Sequence, residues 1–169
     1  MYEVFDKMNA VWGQQYGLEV VNYHALPGEP RHEVPTFKRS NAWEATRQEV
    51  MAVRNGVGIN EVQNFGKYRV TGPNARAWLD RIMAGLIPKP GRLSLTPMLA
   101  HSGKIIGDFT VSCLSETEFQ VTASYGAQGW HSRWFEQNMQ DGVQVENISD
   151  ARSGFQIAGP QAQIGRAHV

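Results

Sequence analysis

Neither sign of charge is in excess in this 169-residue chain: sixteen Lys and Arg balance sixteen Asp and Glu. With no run of like charges either, there is no electrostatic footprint for nucleic acid or for an anionic membrane surface, and neither is expected as a partner. Cysteine is almost absent. The single Cys113 excludes internal disulfides and any multi-cysteine zinc or iron–sulfur site built from this chain alone, so no metal is expected, and a reducing setting, cytoplasmic or organelle-matrix, suits the chain. Long apolar runs are lacking too: Met1 to Gln15 carries Glu3, Asp6 and Lys7 among its apolar residues, so it reads as neither a signal peptide nor a membrane span. No Gly-x-Gly-x-x-Gly run occurs, so no dinucleotide is held by that fingerprint. What is present is a hydrophobic content of 41%, enough to fill the core of one ordinary domain.

Periodicity places the elements. Phe5, Met8, Val11 and Trp12 recur at helical spacing from Val4, with Gly13 and Gly17 as stop signals, which predicts a short amphipathic helix. Tyr23 to Phe37, with Pro27, Gly28, Pro30 and Pro35, reads as an extended connector. Asn41 and Glu44 have capping-box spacing ahead of a second helix, Ser40 to Asn55, closed by Gly56. A strand is expected at Phe65–Thr71, after which Gly72 and Pro73 open a helix with proline at its first position. Ala75, Trp78, Leu79, Ile82 and Met83 form that helix's core-facing stripe. Leu93 to Ala100 and Lys104 to Leu114 read as a hairpin about His101-Ser102-Gly103. A strand at Phe119–Thr122, a helix at Ala127–Met139 and strands at Val143–Ile148 and Phe155–Ala158 follow. The run Val70-Thr71-Gly72-Pro73-Asn74-Ala75-Arg76 is echoed by Ile157-Ala158-Gly159-Pro160-Gln161-Ala162-Gln163. The echo suggests an α+β fold of repeated strand, helix, hairpin, helix and strand units, the second cut short.

One carboxylate stands out within Lys104 to Val111. Asp108 lies in an otherwise apolar strand, where aspartate is depleted and where facing the core costs about 2–7 kcal/mol even for a neutral polar group lacking a partner. A ligand could supply that partner, and Gly107 beside it lets a ligand or another backbone come close. The plainer reading is an edge strand whose solvent face carries Lys104, Asp108 and Thr110, with Ile105, Phe109 and Val111 inward. His101 with Ser102 has the residue types of an acid–base pair, yet it sits on a turn and no third group completes a triad. Cys113, in an apolar strand, reads as an inert core thiol.

Short motifs in order then carry a resemblance: Arg54-Asn55-Gly56-Val57-Gly58-Ile59, Phe65 to Pro73, Leu79-Asp80-Arg81, Pro88 to Arg92, Thr96-Pro97-Met98-Leu99 and Gly107-Asp108-Phe109-Thr110-Val111. Together they resemble the folate-binding domain of the glycine-cleavage T-protein (aminomethyltransferase) superfamily, in the form found in FAD-dependent dimethylglycine and sarcosine dehydrogenases. The resemblance implies an aminomethyltransferase folate-binding fold, tetrahydrofolate as the acceptor, a small amine as substrate, and FAD only in a separate upstream domain. It implies Asp108 as the catalytic carboxylate near the folate amines. Tyr68 and Met98 are candidate cleft residues, although an aromatic or methionine in a strand is more often plain core, and Tyr125 is a third candidate where a strand hands over to a helix. The asparagine expected near Tyr125 is replaced by Thr122-Ala123-Ser124. The expected division is 1–39 as a lead-in from an upstream FAD domain, 40–163 as the first part of the folate domain, and Ile164–Val169 as a non-native tail resembling a translated sequencing adapter. Two other readings stay open: a stand-alone aminomethyl- or methyltransferase of the same fold, and a non-catalytic folate-fold protein of iron–sulfur cluster assembly.

Overall fold

The computed structural model describes residues 2–15, 17–62 and 64–162, so the expected tail at 164–169 lies outside the described residues. The chain divides into two compact units, one of residues 1–60 with 156–169 and one of residues 61–155. The first therefore includes the second of the expected helices.

In the first unit, helix α1 (Tyr2–Lys7) is followed by strands β1 (Ala10–Gln15) and β2 (Leu18–His24), which pair antiparallel. The single lead-in helix read from the sequence is thus a short helix and a hairpin. The reason is local: Asn9 adopts φ 58° and ends the helix, and Gly17 at φ 82° makes the turn. Val11 and Trp12, read as one helical stripe with Phe5 and Met8, belong to β1 instead. Val11, Tyr23, Ala25 and Ala45 form a small core. Helix α2 (Ala42–Asn55) starts near the expected place without the expected capping box. Asn41 is already helical (φ −64°), and its side chain accepts from Val34 N at 2.8 Å and donates to His32 O at 3.0 Å. Glu44 binds Arg47 at 2.6 Å, which holds its carboxyl down at about 2. Strand β3 (Gly58–Glu61) pairs with β9 (Phe155–Ala158).

The second unit is one five-stranded sheet with two helices on one face. Strands β4 (Phe65–Thr71), β5 (Leu93–Leu99), β6 (Ile105–Ser115), β7 (Glu118–Ser124) and β8 (Gln144–Asn147) lie in the order β5-β6-β7-β4-β8, all antiparallel. Helices α3 (Ala75–Ile82) and α4 (Gln128–Gln137) cover the inner face. The expected stripe Ala75, Trp78, Leu79, Ile82 and Met83 is buried throughout. Proline is set slightly outside the helix, since Asn74 occupies the N-cap. The core joins rings from both layers: Phe135 lies 5.1 Å from Tyr68, 5.8 Å from Trp78 and 6.1 Å from Phe109 between centroids. Trp78 Nε1 and Arg81 both donate to Asn138 O, at 2.6 and 2.7 Å, so α3 satisfies a carbonyl just past the end of α4.

The Gly-Pro echo is also an echo of backbone. Gly72 (φ 125°) and Gly159 (φ 119°) each follow a strand in the left-handed half of the map, and a Cβ on either would strike a carbonyl oxygen, that of Gly142 or of Gly56 respectively. Glycine is required at both corners for the same reason. Among the described residues no helix is long and apolar enough to cross a membrane.

Trp78 is the most consequential single core residue, being fully buried and hydrogen-bonded. Its replacement by alanine is expected to cost about 3–5 kcal/mol, read as a shift in the urea midpoint at unchanged slope. A loss below about 1 kcal/mol would contradict this packing.

Candidate functional site

Parity along β6 decides where each side chain goes. Phe109, Val111 and Cys113 are buried in the core, which leaves Asp108, Thr110 and Ser112 on the opposite, outer face. Asp108 is exposed, and its carboxylate makes no hydrogen bond or ion pair with any described residue. The burial cost anticipated from the sequence does not arise. Nor is β6 an edge strand: β5 covers its other side, with Pro97 opposite Asp108.

The register carries this outer face across the sheet. Thr110 lies opposite Leu95 on one side and Thr122 on the other, and Thr122 lies opposite Lys67. Ser112 is opposite Leu93 and Gln120, and Gln120 opposite Arg69. Two hydroxyls therefore stand side by side one step along from Asp108. Arg69 donates to Glu118 at 2.8 Å on the same face. Leu93 and Leu95 remain 66% and 76% exposed there, whereas Lys67 of β4 is 5% exposed, so the face is open over β5 and β6 and covered at Lys67.

Tyr125 sits where the sequence puts it, at the hand-over from β7 to α4, in a single 3₁₀ turn of Tyr125–Ala127. Since Thr110 is opposite Thr122, Asp108 and the end of β7 fall at the same end of the sheet. Asp108 and Tyr125 thus lie at the same end of the sheet, and Tyr125 is 36% exposed. Tyr68 and Met98 are not presented to the same surface. They are 1% and 0% exposed, on the inner face, because each alternates with an outward neighbour: Lys67 and Arg69 for Tyr68, Pro97 for Met98.

Beneath Asp108 lies a residue that sequence reasoning passed over. His131 of α4 is 1% exposed, with its Nδ1 3.5 Å from the Tyr68 hydroxyl and its ring 4.7 Å from that of Phe109. Burial pushes its pKa below the ordinary histidine value and pushes Tyr68 up to about 12. The only sequence signal was Gly107, whose missing side chain makes room for the imidazole rather than for a ligand. At the same end of the sheet Ser149 ties the elements together: it accepts from Lys67 N at 2.9 Å and donates to Gln128 Oε1 at 2.8 Å, while Asn147 donates to the same oxygen at 2.9 Å.

The remaining candidates resolve as packing. His101 is exposed on its turn with its ring 5.6 Å from that of Trp134, and no Ser102 contact supports an acid–base pair. Cys113 is buried, donates to Ser115 O at 3.1 Å and receives a contact from Arg76 at 3.3 Å. Among the described residues no group of His, Cys, Asp or Glu could hold a metal ion.

A sheet with one helix-covered face and one open face bearing an unpaired carboxylate, on this succession of motifs, defines a class. Residues 1–164 match the model of the GCVT N-terminal domain, and the chain belongs to that family. It is 30% identical over 154 residues to human mitochondrial dimethylglycine dehydrogenase, covering 89% of this chain and 18% of that protein. It is 29% identical over 117 residues to an aminomethyltransferase of Natranaerobius thermophilus, covering 68% and 32%. The glycine cleavage system aminomethyltransferase T of Bartonella henselae superposes with a TM-score of 0.76 at 20% identity, over 96% of this chain and 40% of that one. The fold is therefore the α+β aminomethyltransferase fold, and the chain spans less than a fifth of the length of the dehydrogenase. Because the Bartonella fold matches nearly the whole chain, the lead-in segment does not by itself separate a dehydrogenase from a stand-alone transferase.

His131 gives a pH prediction. Its folded pKa lies below the unfolded value of 6.5, so the unfolded chain binds more protons as pH falls through 6.5. Stability is expected to be flat above that value and to fall progressively below it. Urea titrations from pH 8 to 5 should show this, with a shallower fall in His131→Gln; an equal slope in both would contradict it.

Proposed function

We propose that this chain is the folate-binding part of a longer enzyme that oxidatively demethylates dimethylglycine- or sarcosine-type amines and passes the one-carbon unit to tetrahydrofolate. The observation that carries the reading is the unpaired Asp108 carboxylate on the open face of the sheet, in a chain of the GCVT family. Membership and the relatives' names support the substrate class; the dehydrogenase relative covers more of the chain than the N. thermophilus transferase does.

The chemistry suits that carboxylate. A folate amine that attacks an iminium or formaldehyde equivalent passes through cationic states and must lose a proton. Asp108 stabilises the positive charge through space and stands ready to take the proton. The neighbouring hydroxyls of Thr110 and Thr122 offer donors and acceptors to a heterocycle lying along the face, and Tyr125 is a partly exposed ring at the same end of the sheet. Tyr68 and Met98 serve from beneath, as the packed floor that holds β4 and β5 in place. FAD belongs to the amine-oxidising step and has no dinucleotide fingerprint in this chain. A reducing setting, cytoplasmic or organelle-matrix, belongs to this proposal, and the human relative is mitochondrial by name. A stand-alone aminomethyltransferase is the second reading, supported by the aminomethyltransferase of N. thermophilus, 29% identical over 117 residues.

Asparagine at 108 keeps the shape and removes the charge. In the intact enzyme Asp108→Asn is expected to lower one-carbon transfer by about 10²–10⁴-fold while tetrahydrofolate binding changes little. Transfer at the wild-type rate would exclude Asp108 from the chemistry. The apolar residues exposed on β5 give a second expectation. Residues 1–163 alone should self-associate through the exposed Leu93 and Leu95 and be inactive. Sedimentation of a stable, catalytically active monomer would contradict that.

A further inference from the structure

β6 is irregular immediately before Asp108. Met98 pairs with Gly107 and Leu99 with Ile105, so Ile106 is an extra residue, a bulge. The bulge resets the alternation. Ile105 is 68% exposed while Ile106 is buried, and from Gly107 onward the odd-numbered residues face the core and Asp108 faces out. Bulges bend a strand and re-aim the side chains that follow.

Something must hold that reset register, and the structure shows what touches it. Gly107 points its missing side chain at α4: a Cβ built there would lie 2.8 Å from His131 Nε2 and 3.1 Å from Phe109 Cε2. The imidazole occupies the space that any other residue at 107 would need. His131 is itself held from the far side, by the Tyr68 hydroxyl at 3.5 Å and by an edge-to-face contact with that ring at 6.2 Å between centroids. β4, α4 and β6 thus meet at one buried imidazole directly behind the backbone that presents Asp108.

We propose that His131, seated against Gly107 and steadied by Tyr68, is a positioning residue for Asp108: it fixes the bulged segment of β6 and so the direction of the carboxylate on the other face. His131 touches no substrate in this arrangement and acts only through the Gly107 backbone. The inference rests on the reading of Asp108 as the reacting carboxylate. A misplacement of the order of 1 Å at a reacting group can cost about a hundredfold in rate, so a small shift of β6 is enough to register.

The test uses Gly107→Ala, His131→Ala and the double variant in the intact enzyme, with Asp108→Asn alongside, measuring kcat and KM for tetrahydrofolate and thermal unfolding. Gly107→Ala is expected to lower kcat by at least about tenfold with KM within about twofold, because the added methyl displaces β6 from His131. His131→Ala alone is expected to lower kcat by about tenfold with KM kept, since β6 loses the group seated against Gly107, and the double variant is expected to stay no better than His131→Ala. Wild-type kcat in Gly107→Ala or in His131→Ala overturns the proposal and leaves the contact as packing. Should Gly107→Ala fail to fold, His131→Gln decides: lowered kcat with KM kept supports positioning, and wild-type kcat overturns it. Wild-type kcat in Asp108→Asn would instead remove the reading on which the proposal rests, so the two failures are distinguishable.

Discussion

The burial of one sheet face under two helices is the constraint on which the 61–155 unit depends. Trp78, Phe135, Tyr68 and Phe109 fill the space between layers, and each ring fixes the parity of the element that carries it. Once Phe109 and Val111 face inward, Asp108 and Thr110 must face outward, because side chains alternate along a strand. The open face is therefore a consequence of the packed one. It carries the Arg69–Glu118 pair, the unpaired and exposed Asp108, and the buried Lys67, whose ammonium donates to Phe65 O at 3.1 Å.

The irregular points of the unit serve the same end. A bulge at Ile106 and a glycine at 107 concentrate departures from regular pairing in two residues beside the carboxylate. Bulges and close backbone approaches gather where a side chain must be aimed, and here the aiming is done from behind by a buried imidazole. Gly66 repeats the device on β4, where a Cβ would lie 2.9 Å from Gln128 Cγ and 3.2 Å from the Tyr68 hydroxyl. Two glycines thus let α4 and its side chains settle onto the sheet end that bears the site.

Most of this was legible in the sequence wherever a strong period met a clear stop. The stripe from Ala75 to Met83 gave α3, and the hairpin about His101-Ser102-Gly103 gave β5 and β6, because burial and turn chemistry agreed there. The echo of Gly72-Pro73 in Gly159-Pro160 proved to be an echo of backbone conformation as well. The lead-in departs from its helical period because Asn9 takes a left-handed conformation and breaks the run of Phe5, Met8, Val11 and Trp12, whose spacing fits a helix only by chance. Of the two readings open for Tyr68 and Met98, cleft or core, parity selects the core; register, which the sequence does not display, decides that. His131 was invisible for a similar reason, since its partner Gly107 is distant in sequence and only the packing of α4 on β6 joins them.

The most direct measurement is amide hydrogen exchange of the intact enzyme with and without tetrahydrofolate. Slowed exchange confined to residues 107–111 and 121–126, the strand segments that present Asp108 and Thr122 and lead into Tyr125, is the result this account predicts. Protection confined to the helical side about α3 and α4, or no protection at saturating tetrahydrofolate, would contradict a folate site on the open face of the sheet.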